Sequence, residues 1–394
     1  MKRFSQDVRA QDFVQDPYPA YDRARALGEV VWWDDYGMAA AMSHGAVSAA
    51  LRSRALGRAP LDPVDFPAHA KAFYDIEAHS MLELEPPRHT RLRSLVLRAF
   101  TGRRIRALGP EIEALSQELA DGLGDGPFNL LTDFAQPLPV RIIARLLGVP
   151  ESMAPDLLRW SNTMVAMYQS GRSHAVELAA AEAAATFADF LRGYVEERRS
   201  RPADDLITHL IAAEEDGEKL STEELISTCI LLLNAGHEAT VHTMGNGLAT
   251  LLTQEDRNIT EGVVEEILRY DPPLHVFTRW VYEDTVIGDA ELKRGDQIAC
   301  VLGAANRDPA VFPNPHVFDP HRSAKAQVAF GAGLHFCVGA PLARLELLIG
   351  LRTLLAAHPH LTLTETPRYG DTYHFHGYET LLAVTDGRGL RRSA

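Results

Sequence analysis

The sequence predicts a mainly α-helical protein with small β-sheets near the two ends of the chain. Three observations carry this. Helical periodicity dominates residues 88–270, one helix in that stretch is long and almost uncharged, and strand-like runs fall at 30–41 and within 275–394. Breaks in the periodicity lie near 124–128, 148–155, 169–173, 200–204 and 215–220.

From the N-terminus, an irregular segment with Asp16-Pro17-Tyr18-Pro19 leads to a hairpin. Its strands are Val30-Val31-Trp32-Trp33 and Met38-Ala39-Ala40-Ala41, turned at Asp34-Asp35-Tyr36-Gly37. Residues 58–80 carry prolines and no clear period, the pattern of a long loop. An alanine-rich helix covers 178–188. The longest helix starts at Ser221, where Ser221 and Glu224 form a capping box, and runs to about Leu252. Glu238 is the only charged residue between Glu224 and Glu255. His237, His242, Asn234 and Asn246 make that stretch too polar for lipid, so it reads as a helix through the middle of a globule. Gly236 and Thr240 are expected to loosen it beside Glu238. A carboxylate alone on a buried helix is expected to be paired or functional.

A chain of 394 residues, 46% hydrophobic and 23% charged, has the composition of a globular protein with a sizeable core. No Pro-, Gly- or Ser-rich divider interrupts it, so 1–394 reads as a single domain. A net charge of −14 argues against a general nucleic-acid binder. Against that acidity, residues 86–110 hold seven arginines and no acid, a basic face suited to carboxylates or an acidic partner. The N-terminus has no apolar signal or anchor, and Cys229, Cys300 and Cys337 match no disulfide or zinc spacing. Both point to the cytoplasm and away from the membrane.

The segment richest in chemistry is Phe330-Gly331-Ala332-Gly333-Leu334-His335-Phe336-Cys337-Val338-Gly339. It sets one cysteine in a glycine-rich turn immediately before the apolar helix that opens with Ala340-Pro341-Leu342. Helix N–H groups and the dipole favour a thiolate there. Gly331, Gly333 and Gly339 let the backbone approach a large flat ligand. A thiolate so presented suits an iron centre.

This F-G-x-G-x-H-x-C-x-G pattern resembles the haem-binding signature of the cytochrome P450 monooxygenases, and four further matches follow the family's order along nearly the whole chain. His89 and Arg93 resemble the haem-propionate motif, with Arg91 directed elsewhere, and Arg279 and His335 match the remaining propionate contacts. The long helix around Glu238 resembles the oxygen-side helix. Glu266 and Arg269 resemble the E-x-x-R motif, with Arg322 as third member of a structural network, and Asn306-Arg307-Asp308-Pro309 precedes the cysteine turn.

The resemblance implies a cytochrome P450 fold with the long oxygen-side helix above haem b, cradled by Phe330, Gly331 and Gly339, and Cys337 as the axial iron ligand. It implies a monooxygenase that inserts one atom of O₂ into a small-to-medium, largely apolar organic substrate. Electrons would come from NAD(P)H through a ferredoxin reductase and a small [2Fe–2S] ferredoxin docking on the arginine-rich 86–110 face. Glu238 and Thr240 are the implied catalytic residues. Substrate contacts are expected from the 58–80 loop, from Met164, Met167 and Tyr168, and from Ile230 to Asn234 with Ala235. Leu274, Val276, Phe277 and Phe375 complete that set. A peroxide-driven peroxygenase and a non-catalytic haem-thiolate sensor are the alternatives.

Two departures stand out. The family usually follows the distal acid with threonine, which helps deliver protons during oxygen activation. Here Ala239 follows Glu238, and Thr240 lies one place later, about 100° further round the helix. A substrate hydroxyl or an ordered water is expected to complete the relay. Residues 252–260 also look shortened, as if a surface helix were missing.

Overall fold

The computed structural model describes residues 1–394 except 125, 170–171, 216, 372–374 and 386–394. The helix Thr222–Leu251 runs through the helical core, packed by Pro137–Leu147, Ala154–Val165, His174–Ser200 and Ala340–Ala357. Both halves of its capping box form: the Glu224 amide donates to Ser221 Oγ at 3.2 Å, and the Ser221 amide donates to Glu224 Oε2 at 3.0 Å. The helix stays unbroken through Gly236, while the Thr240 and Thr243 hydroxyls donate back to the carbonyls of Gly236 and Ala239. No helix among the described residues is long and apolar enough to cross a membrane.

The expected hairpin pairs antiparallel, with Val30 opposite Ala41 and Trp33 opposite Met38. It belongs to a six-stranded sheet in the order Arg3–Phe4, Val30–Trp33, Met38–Ala41, Gln297–Val301, Val276–Val281, Leu56–Gly57. Met38–Ala41 pairs parallel with Gln297–Val301, Ile298 lying opposite Ala39. Gln297–Val301 pairs antiparallel with Val276–Val281, which places Arg279 opposite Ile298. The sheet thus carries Arg279 into the interior from a strand fixed on both edges.

Two expectations about connecting segments met different fates. Residues 58–80 are not wholly loop, because they contain a 3-10 turn at Ala68–Ala70 and the helix Lys71–Glu77. Ala70, Phe73 and Ile76 are the buried face of this piece, a three-residue spacing too short to stand out beside the prolines upstream. Residues 252–260 do lack a helix: the chain passes from Leu251 to the helix Glu261–Tyr270 through turns and coil.

Glu266 and Arg269 are fully buried and paired through two hydrogen bonds of 2.7 Å. Arg269 also donates to the carbonyls of Asn306 and Pro315, and Arg322 Nε donates to Glu266 Oε1 at 3.3 Å. Asn306 in turn accepts the Val328 amide at 2.8 Å. A chain of polar bonds therefore runs from one helix into the strand of backbone that leads to Cys337.

Candidate active site

The cysteine turn is shaped by two glycines with left-handed backbone, Gly331 at φ 69° and Gly333 at φ 71°. A Cβ on Gly333 would lie 2.5 Å from the Leu51 carbonyl oxygen, so only glycine fits there. The turn closes when the Cys337 amide donates to the Phe330 carbonyl at 3.0 Å, and Arg344 lies over the Phe330 ring at 4.6 Å. Cys337 lines a cavity of about 870 Å³. Burial pushes its thiol up, while the amides of Gly339 and Ala340, and then Arg93 and Arg344, pull it back. The expected helix-end donors are therefore present at the sulfur, and an iron ion bound there would favour the thiolate further.

Small residues also line the cavity. Ala235, Gly236 and Ala239 on the central helix face the cavity, with Asn234, Thr240 and Thr243 beside them. Asn234 Oδ1 is buried without a partner among the described residues. Leu274, Val276 and Phe277 approach from the sheet, and Tyr168 and Phe375 from two other segments.

The basic residues gather at one end. His89, Arg93, Arg279 and His335 all line the cavity. His89 is buried with Nδ1 unpartnered, 4.3 Å from the His335 ring centre to centre. Burial, then His335 and Arg93, push His89 down to about 4. Arg93 donates to the Phe336 carbonyl at 2.6 Å and Arg279 to the Thr278 carbonyl at 2.8 Å, and neither has a carboxylate partner among the described residues. His335 bonds Glu85 at 3.1 Å. Arg91 turns away to Glu224, as expected. Sequence reasoning missed Arg58, which also lines the cavity, pairs with Glu83 at 2.5 Å and leaves its Nε buried and unpartnered. Its place at the end of a two-residue strand gave no motif to find.

Clustered basic residues with orphaned donors, a cysteine sulfur and a strip of small residues around one cavity fit a flat dianionic iron porphyrin. Cys337 would hold its iron, and His89, Arg93, Arg279, His335 and Arg58 would hold its two carboxylates.

Three site expectations need correction. Met164 and Met167 do not line the cavity; both are core residues, and Met164 Sδ sits 3.9 Å from Asn234 Nδ2. The helix Ala154–Val165 turns Leu157, Trp160 and Met164 inward, leaving Val165, Tyr168 and Gln169 to meet the cavity. The 58–80 segment contributes only Arg58 to the wall, followed by Met81, Leu82 and Glu83. Glu238 does not line the cavity either. It faces the flank of its helix, with His242 Nε2 at 3.5 Å and His237 Nδ1 at 4.0 Å. Asn162, its amide oriented to suit its neighbours, donates to Glu238 Oε1 at 2.5 Å. Burial opposes the charge, but the His242 hydrogen bond and both imidazoles hold this carboxyl below its ordinary value.

A second polar network, invisible in the sequence, sets the cavity's far wall. Asp271, buried, accepts from Tyr18 at 2.7 Å and Tyr369 at 2.6 Å, and lies 3.0 Å from His376 Nδ1. Tyr21 bonds His275 Nδ1 at 2.9 Å. These bonds anchor the backbone just before Val276 and just after Phe375, both cavity residues.

This arrangement fits a mainly helical protein that holds a haem beside a cysteine sulfur. The family model described as Cytochrome P450 matches residues 173–258 and 253–368. The chain is 36% identical over 383 residues to cytochrome P450 monooxygenase PikC of Streptomyces venezuelae, covering 91% of this chain and 87% of that one. It is 39% identical over 313 residues to the 6-deoxyerythronolide B hydroxylase of Saccharopolyspora erythraea, covering 76% of each. Among solved structures, P450BioI bound to an acyl carrier protein carrying hexadec-9Z-enoic acid superposes with a TM-score of 0.90 at 32% identity. That match covers 95% of this chain and 99% of the other. The chain belongs to the cytochrome P450 family and is a monooxygenase of that family.

One cavity residue has no family motif behind it. Glu346 is buried with Oε1 unpartnered, and burial alone pushes its carboxyl up to about 8. A carboxyl raised in the folded state stabilises fully below its unfolded value near 4.5, and that contribution is lost as pH rises towards 8. At about 1.4 kcal/mol per pKa unit, the loss across this window is roughly 5 kcal/mol. Glu346→Gln should match wild type in urea unfolding at pH 5 and exceed it clearly at pH 8.5. Parallel stability curves at the two pH values would refute this.

Proposed function

We propose that this protein inserts one oxygen atom of O₂ into a small-to-medium, largely apolar organic substrate. The observation that carries this reading is Cys337 on the wall of a mostly apolar cavity whose cluster of basic residues suits the two carboxylates of haem b. When bound, the haem supplies the oxygen activation itself. The chain's own residues hold it, exclude water and move protons. Leu274, Val276, Phe277 and Phe375 supply an apolar bed for the substrate, and Asn234 Oδ1 is a free acceptor that orients one polar group on it.

Glu238 and Thr240 remain the catalytic candidates, with roles divided by position. Glu238 is a proton relay on the flank of the helix: held as the carboxylate chiefly by His242, it takes up a proton and passes it on. Thr240 lines the cavity, but its hydroxyl is committed to the Gly236 carbonyl at 2.8 Å. The gap beside Ala239 is then filled by a substrate hydroxyl or an ordered water, which completes the relay.

Electrons come from NAD(P)H through a ferredoxin reductase and a small acidic [2Fe–2S] ferredoxin, in the cytoplasm. The supporting surface is the helix Gly102–Ala107, which packs on Ala340–Ala357 behind Cys337 and exposes Arg103 and Arg106. An acidic partner is steered to such a surface by charge.

The reduced carbon monoxide difference spectrum tests the central reading. A strongly red-shifted band, with NAD(P)H use that rises when substrate is added, is expected; the band of histidine-ligated haem would overturn it. Efficient turnover on hydrogen peroxide alone would instead identify a peroxygenase. For the relay, Ala239→Thr should raise the share of reducing equivalents reaching product with a substrate lacking a hydroxyl, and change it little with one bearing a hydroxyl. Equal effects on both would remove the substrate from the relay. For the partner, reversing charge at the exposed Arg103 and Arg106 should slow ferredoxin association about tenfold at low salt and flatten its salt dependence. Unchanged reduction rates across ionic strengths would place the partner elsewhere.

A further inference from the structure

A cluster of metal-binding side chains lies outside the cavity. His174 and Glu177 stand one turn apart at the start of the helix His174–Ser200, which Ser173 caps, so both project from one face. His69 reaches them from the 3-10 turn Ala68–Ala70, a separate stretch of chain. His69 Nε2 is 2.7 Å from Glu177 Oε2, and the His69 and His174 rings are 4.2 Å apart, edge to face at 72°. One ligand atom from each residue lies within 4.8 Å of the other two.

We propose that His69, His174 and Glu177 form a binding site for a single borderline-soft divalent cation, zinc first, which fastens residues 68–77 to the His174–Ser200 helix. Two imidazoles and a carboxylate are a set that zinc accepts, with one position left for water. Calcium and magnesium prefer all-oxygen ligands and are poor candidates. With ligands about 2.0–2.2 Å from zinc, His69 Nε2 and Glu177 Oε2 would open from their 2.7 Å hydrogen bond while the exposed His174 ring draws in.

The cation has one competitor. Arg172 Nε lies 3.2 Å from Glu177 Oε1, and its Nη2 donates to the Tyr74 hydroxyl at 3.0 Å. A divalent ion displaces the guanidinium from Glu177 by repulsion while leaving the Tyr74 bond in reach.

Fastening this point affects the cavity because the same stretch touches its wall. Phe73 packs edge-on against Tyr168 at 6.2 Å, and Tyr168 donates to Glu77 at 3.2 Å while itself lining the cavity. Tyr74 also stacks on Phe66 at 3.7 Å. A bound cation therefore ties two segments beside the cavity to each other and slows exchange of ligands through them, without touching Cys337. The site itself stands apart from the monooxygenase reading; only its effect on ligand exchange depends on bound haem.

The test is calorimetric titration of zinc alone into the haem-loaded protein, without a histidine tag and in a non-chelating buffer. One equivalent should bind to wild type. His69→Ala, His174→Ala and Glu177→Gln should each weaken it about tenfold or more. His209→Ala, at the distant His209–Asp204 pair, should leave it unchanged. In parallel, stopped-flow binding of a bulky azole to the haem should slow with zinc in wild type but not in His174→Ala. No one-equivalent binding, or equal binding in all variants, overturns the site. Zinc binding that leaves azole kinetics unchanged overturns the fastening role. A normal carbon monoxide band throughout would show that either failure belongs to this proposal and not to the haem reading.

Discussion

The buried pair of Glu266 and Arg269 is the interaction on which the site depends. Two charges removed from water cost several kcal/mol each, and the gain repays this only when every donor and acceptor is used. Here Glu266 Oε1 accepts from Arg269, from Arg322 and from the Asp319 amide, while Arg269 reaches the carbonyls of Asn306, Pro315 and Val317. Such a saturated node adds less to stability than to register. It dictates where residues 306–322 lie, and that path delivers the cysteine turn to the cavity. Replacing either partner would strand a charge and release the segment.

The interior is electrostatically inverted relative to the chain. The protein carries a net charge of −14, yet one end of its cavity concentrates arginines and histidines. His89 is driven towards the neutral form by burial and by its basic neighbours, and Arg279 is lowered by burial as well. That repulsion is a cost the folded chain holds in reserve, and a dianion placed there relieves it. Glu83 and Glu85 lie against Arg58 and His335 and limit that repulsion without cancelling it.

Much of this was legible in the sequence because it rests on local rules. The central helix was bounded to within a residue by its capping box and its lack of charge. The cysteine turn needed glycines at fixed places, and the backbone angles of Gly331 and Gly333 show why. The i, i+3 spacing of Glu266 and Arg269 put them on one face. What escaped was set by rotation and by distant partners. Period alone does not tell which inward side chains meet a cavity and which meet the core, so Met164 and Met167 were misjudged. Glu238 was found, but its direction depends on Asn162 and His242. Arg58 and Asp271 draw their significance from residues more than 20 positions away.

The pairing of Met38–Ala41 with Gln297–Val301 has a consequence for biosynthesis. Ala39 and Ile298 are neighbours in the sheet but about 260 residues apart along the chain. The strand that carries Arg279 is held on that pairing, and the cysteine turn follows later still. Contacts of such long range form slowly because a large loop must close first. The pocket therefore does not exist on a partly made chain. The residues that would hold a haem, up to Cys337, are all available only once most of the chain has been made.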